Sequence, residues 1–264
     1  MSKLDDADVI LAAVRAHLRV LKMPTIAREC DALAREAIAD GQHPLSFLRA
    51  VLEAEMATRA EHASERRLRA ARLPARKTLS QFDWRRSHGL ERARIEDLAR
   101  CAWVPSARNV VLLGPVGTGK THVAIGLAIE AIKRGHNVLF FRASDLVRIL
   151  TEARDARSLS RLQERLRKAS LLILDELGFV PFEKAGGELI FDVLSARHER
   201  ASTVITSNLV FSDWNRVFGD DKLTAALLDR LAQHADVCVT RGPGDRVAVP
   251  PKRSAAESEV ALST

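Results

Sequence analysis

Gly114-Pro115-Val116-Gly117-Thr118-Gly119-Lys120-Thr121 is the stretch that decides the fold of this 264-residue chain. It has the form GxxxxGK[ST], and it stands between a short apolar run, Val110–Leu113, and a helical pattern that Gly135 stops. Glycines let the backbone curl so that successive N–H groups point inward at phosphate oxygens. A helix beginning near Lys120 aims the positive end of its dipole at the same point. Lys120 is expected to neutralise charge on the β- and γ-phosphates, and the Thr121 hydroxyl to ligate Mg²⁺. His122 follows directly and completes the expected ATP-binding set, Gly114 to His122.

Outward from this loop the same alternation repeats. Val110–Leu113, Val138–Phe141, Leu171–Leu174, Thr203–Thr206 and Val237–Val239 are short apolar runs separated by helical stretches, as strands buried on both faces of a parallel sheet would be. The expected fold class is α/β: a five-stranded parallel sheet with helices on both sides, carrying the phosphate loop. The third run ends in Asp175-Glu176, which puts two carboxylates at the carboxyl end of a strand. Asp175 is expected to reach the magnesium, and Glu176 to orient and activate an attacking water. Asn208 follows the fourth run. If that strand lies between those leading to Lys120 and Asp175, its amide reaches the γ-phosphate or the water; alone, it reads as a turn cap. Arg230, flanked by Leu228 and Leu231, reads equally as a cation offered to a neighbouring subunit's ATP or as half of a surface ion pair with Asp229 or Asp220.

Before residue 109 the pattern is helical throughout. Residues 5–22, Thr25–Ala39 and Pro44 to about Arg72 carry apolar residues at helical spacing, interrupted by Pro24, Gly41 and Pro74. The expected organisation is a small all-helical N-terminal domain (1–75), a linker (76–108) with Phe82-Asp83-Trp84 packed onto the sheet, the sheet domain (109–248), and a tail without fixed structure (249–264).

Composition narrows the class. Apolar residues make up 47% and charged residues 28%, which excludes a disordered or fibrous chain. No run approaches the roughly 20 apolar residues that cross a bilayer, and the N-terminus has no signal-peptide core, so a cytoplasmic protein is expected. The three cysteines are far apart and read as reduced thiols. Histidines are scattered, so no zinc site is expected. The net charge is +7, and its placement is informative. Arg66, Arg67, Arg69, Arg72, Arg76, Lys77, Arg85 and Arg86 stand against the single acid Asp83, so this window alone accounts for the excess. Such a stretch attracts phosphate backbones, those of nucleic acid in the first place, or an acidic partner. Arg154–Lys168 is a second basic stretch, a further contact of that kind or a solvated amphipathic helix. Sparse aromatics favour backbone contact over base stacking.

Taken together, these residues resemble the IstB-like ATP-binding family, helper proteins of insertion-sequence transposases related to the DnaC-type helicase loaders. The likeness runs over roughly residues 5–248. It is carried by Leu52-Glu53-Ala54-Glu55, Arg69–Leu73 with Phe82-Asp83, Asn109-Val110 with Gly114–His122, Gly135–Phe140, Leu172–Gly178, Arg197-His198-Glu199-Arg200, Thr206–Leu209, Trp214 and Ala225–Leu231. The resemblance implies an AAA+ ATPase with a reduced or absent C-terminal lid, which oligomerises on DNA, engages a cognate transposase and uses ATP and Mg²⁺ in target selection. It makes Lys120 and Thr121 Walker A residues, Asp175 and Glu176 Walker B, Asn208 sensor 1, Arg230 an arginine finger acting in trans, and Arg246 a sensor-2 arginine. The family's usual Gly-x-Ser-Tyr-Arg-like run reads Gly242-Pro243-Gly244-Asp245-Arg246 here, which alters the setting of Arg246. A helicase loader and a non-hydrolysing nucleotide-dependent adaptor are the alternative readings; Glu176 speaks against the second.

Overall fold

Each apolar run becomes a strand, one to three residues longer than its apolar part: β1 Asn109–Leu113, β2 Val138–Arg142, β3 Leu171–Leu177, β4 Ser202–Ser207 and β5 Ala235–Val239. Most of the added residues, among them Asn109, Arg142, Asp175 and Ser207, are polar, so apolar runs understate strand length. The computed structural model describes residues 3–241 apart from Arg86, His88 and His234. Arg246 and the expected tail therefore lie outside the described residues, as does the segment where a C-terminal lid would fall.

All pairings are parallel, in the order β2-β3-β4-β1-β5. Two apolar layers follow from side-chain alternation. Val110, Leu112, Phe140, Leu171, Ile173 and Val204 face one layer, built on α5 (Lys120–Lys133). Val111, Leu113, Leu139, Leu172, Leu174 and Ile205 face the other, under α6 (Ala143–Asp155), α7 (Leu159–Lys168), α8 (Lys184–Arg197), α9 (Asn215–Phe218) and α10 (Asp221–Ala232). Arg197 fixes the second layer to the sheet. It is 1% exposed, and its guanidinium donates to the carbonyls of Leu166, Ala169 and Ser202 and to the Thr203 hydroxyl. Burial pulls it down to about 10.

The chain opens on helices, as the sequence predicts: α1 Lys3–Val20, α2 Pro24–Ala39 and α3 Pro44–Ala71. Ile26, Cys30 and Val51 form their small core. Glu55 of α3 caps α2, accepting from the N–H groups of Thr25 (2.9 Å) and Ile26 (3.2 Å), with Arg59 at 2.9 Å. The far end of α3 reaches the main core, where Ala71 is buried beside α5 residues. The stretch 76–108 is packed there too. Ile95 and Leu98 of α4 (Arg92–Leu98), with Trp103 and Val104, are buried in the α5 layer, and Trp103 Nε1 donates to the Leu98 carbonyl at 2.7 Å. Phe82 is buried in the same cluster, its ring against Gly119 and His122 at the head of α5. No helix among the described residues is long and apolar enough to cross a membrane.

Candidate functional site

The phosphate loop joins β1 to α5 and is braced from below. Thr240, just past β5, donates its N–H to the Leu113 carbonyl (2.7 Å), and its hydroxyl pairs with that of Thr118 (2.6 Å). Gly114 sits at φ +136°, where an added Cβ would lie 2.2 Å from the Thr240 hydroxyl. Gly119, at φ +91°, would meet the Phe82 ring at 2.6 Å. Thr118 thus points into the protein, while Lys120 projects across the loop. Its ammonium donates to the carbonyls of Gly114 and Pro115, both at 2.6 Å. Burial lowers its proton affinity, and the nearby charges of Asp175 and Glu176 oppose that shift.

The acidic pair departs from expectation in an informative way. Asp175 does not end its strand; β3 continues to Leu177 through a bulge at Glu176. The register steps from Leu174↔Ile205 to Leu177↔Ser207, so β3 carries one residue more than β4. Glu176 takes φ +59°, a left-handed conformation uncommon for residues other than glycine. Leu177 consequently joins Leu172 and Leu174 on one face. Asp175 is buried, while Glu176 is turned outward with Arg142 at 3.6 Å. Thr206 of β4 holds this shape: its hydroxyl donates to Asp175 Oδ1 (2.6 Å) and accepts from the Glu176 N–H (2.9 Å).

Asp175 Oδ1 also accepts from the Thr121 hydroxyl at 2.8 Å. These two hard oxygens suit Mg²⁺, which takes its remaining ligands from phosphate and water. No cluster of three or more His, Cys, Asp or Glu that could hold a metal occurs among the described residues. Because β4 lies between β1 and β3, Asn208 opens into the same cavity, of about 320 Å³, as Lys120, Thr121, Glu176 and Thr206. Gly117, Gly119, His122 and the exposed Val116 and Phe179 complete its wall.

Other expected residues fall elsewhere. His122 lines the cavity, but its Nε2 is engaged with the Thr78 carbonyl at 2.8 Å, tying the 77–82 segment to the loop. Lys77, expected on DNA, lines the nucleotide cavity. Arg66 and Arg67 line a separate cleft, and Arg69, Arg72 and Arg76 are exposed. Arg230 stacks 5.2 Å over the Phe191 ring and makes no ion pair among the described residues, which removes the pairing with Asp229 or Asp220. It borders Asn109 and Thr203 at the amino ends of β1 and β4, whereas the phosphate loop follows the carboxyl end of β1. Within one chain it does not reach the site. Thr206, Thr240 and Lys77 were not assigned to this site from sequence. Thr206 stands in the run that leads to Asn208, but nothing in the sequence ties it to Asp175, 31 positions earlier.

The model of the IstB-like ATP binding protein family matches residues 16–250. The chain belongs to this family. An insertion sequence IS21 ATP-binding protein of Pseudomonas aeruginosa is 39% identical to this IstB-like chain over 227 residues, covering 86% of each. The IS5376 ATP-binding protein of Geobacillus stearothermophilus is 33% identical, covering 89% of this chain and 93% of that one. Among solved structures, AMPPCP-bound DnaA from Aquifex aeolicus aligns with a TM-score of 0.53 at 20% identity, over 64% of this chain and 51% of that one. The DnaI structure aligns equally well, at 21% identity, over 62% and 91%. These likenesses establish the AAA+ fold of the IstB-like sheet domain.

Proposed function

We propose that this IstB-like protein is a Mg²⁺-dependent ATPase of the cytoplasm that assembles on double-stranded DNA, engages a cognate transposase and promotes insertion at a target. The observation that carries this reading is the convergence of Lys120, Thr121, Glu176 and Asn208 from three adjacent strands on one cavity, with the buried Asp175 hydrogen-bonded to Thr121 behind its wall. Lys120 and the loop N–H groups bind the β- and γ-phosphates. Thr121 and Asp175 would hold a Mg²⁺ that arrives with the nucleotide, and it would supply charge neutralisation to the transferring phosphoryl group. Glu176 takes a proton from the attacking water as its oxygen bonds to the γ-phosphorus and the bond to the bridging oxygen of ADP breaks. Asn208 orients that water. Arg230, remote from its own cavity, is suited to reach the ATP of an adjacent subunit, which makes hydrolysis dependent on assembly. Arg246 remains a candidate second sensor.

The relatives are named as ATP-binding proteins of insertion sequences, which supports the transposition context over helicase loading. The test is ATP turnover with and without duplex DNA for the wild type and Glu176→Gln. The variant is expected to bind ATP within a few-fold of wild type and to lose about 10²-fold or more in turnover. Equal turnover would reduce the protein to a nucleotide-dependent adaptor.

A further inference from the structure

The basic run is continuous in sequence and divided in space. Arg69 turns to Glu65 at 3.1 Å, and Lys77 reaches the nucleotide cavity. Arg66 and Arg67 instead form one wall of a cleft of about 430 Å³, and Arg165 and Lys168 of α7, about a hundred positions later, line it as well. Its floor is Asn137–Leu139, where β2 begins. β2 pairs only with β3, so the cleft opens along an edge strand, toward the amino ends of the strands and away from the ATP cavity at their carboxyl ends.

The chemistry of this cleft is one-sided. No carboxylate lines it, and Arg66, Arg67 and Arg165 make no ion pair among the described residues. Lys168 shares Glu164 with Arg167, at 3.2 Å. Beside the floor, burial and then the charges of Arg134 and Arg67 hold the His136 imidazole below its ordinary range. The guanidinium groups of Arg66, Arg67 and Arg165 and the Lys168 ammonium, collected from two distant segments, make a positive field that attracts a polyanion. No aromatic side chain lines the cleft, so bases have nothing to stack on.

We propose that this cleft grips the phosphate backbone of duplex DNA between α3 and α7, with Arg66, Arg67, Arg165 and Lys168 as the contacts. The inference rests on the DNA-binding reading and locates it. It separates these four residues from Arg69, Arg72, Arg76 and Lys77, which sequence alone grouped with Arg66 and Arg67.

The test is fluorescence anisotropy of a labelled duplex with the full chain and ATP, across a salt series. Arg66→Glu with Arg67→Glu, and separately Arg165→Glu with Lys168→Glu, should each flatten the log–log salt dependence by about 2, since each phosphate contact contributes about 0.9. Arg69→Glu with Arg154→Glu changes the net charge equally outside the cleft and should leave the slope near that of the wild type. Should a charge reversal fail to fold, shown by a lost thermal transition, the neutral Gln pairs serve in its place with the same expected slope. Unchanged slopes for both cleft pairs, or an equal loss in the control, would overturn the cleft while leaving DNA binding intact. A wild type that does not bind duplex would overturn both. Displacement of the duplex by poly-glutamate at equal charge concentration would make an acidic polypeptide the occupant and overturn DNA.

Discussion

Thr206 shows how much of the site depends on a residue that touches no nucleotide chemistry directly. One hydroxyl orients Asp175 and fixes the Glu176 amide, so it sets the spacing between the two carboxylates proposed to face metal and water. Thr206→Val keeps the side chain's shape and removes both bonds. Turnover is expected to fall about 10- to 100-fold, as for other groups that orient metal ligands, with ATP affinity changed by only a few-fold. Steady-state kinetics beside a nucleotide-binding titration checks this; undiminished turnover would show that the bulge holds itself. Sequence legibility was uneven at this scale. Lys120, Thr121 and Asp175 were readable because phosphate and magnesium chemistry restrict both residue type and spacing. Thr206 was not, because its importance comes from a strand paired 31 positions away.

At the scale of elements, the phosphate loop is held between two segments distant in sequence, Thr240 below and Thr78–Phe82 beside it. Gly114→Ala is the sharp probe of the lower brace. The new Cβ would lie 2.2 Å from the Thr240 hydroxyl and 2.3 Å from its carbonyl oxygen. A cost above about 3 kcal/mol is expected, and with it a melting temperature lower by roughly 6–12 °C. Truncating Thr240 should not rescue it, since the carbonyl remains; rescue in a thermal melt would place the strain elsewhere. The five strands were legible from their apolar runs, and the bulge was not. A continuous apolar strand ending in Asp-Glu looks finished, yet β4 offers two more residues to pair, and Leu177 regains the buried face only if one residue is extra. The 76–108 stretch reads in sequence as a linker with only Phe82-Asp83-Trp84 packed down, and Ile95, Leu98, Trp103 and Val104 of it are core as well.

For the whole molecule, the joint between the N-terminal helices and the rest is α3, and Glu55 is its most exacting residue. Burial alone would raise its carboxyl, but the Ile26 N–H, Arg59 and the Thr25 N–H outweigh that and hold it below its ordinary 4.5. A depressed carboxylate contributes stability that is present above its unfolded value and lost as pH falls through the lowered folded one. The wild type should therefore lose amide protection at Thr25 and Ile26 in acid below about pH 4.5. Glu55→Gln should lose it already at neutral pH, by about 2 kcal/mol, and show a flatter acid dependence. Hydrogen exchange reads both, and equal protection in the two proteins at neutral pH would refute the cap.

α3 also has a mechanical side. Its 28 residues form one unbroken rod, about 42 Å long at 1.5 Å per residue. One end is seated in the core beside α5, and the chain leaving it reaches Lys77 within six residues of Ala71. The other end carries α1 and α2. A tilt of only about 10° at the seated end would sweep the far end through about 7 Å. A shift at the Lys77 end, which borders the cavity, would thus be magnified along the rod before it reached the helical head.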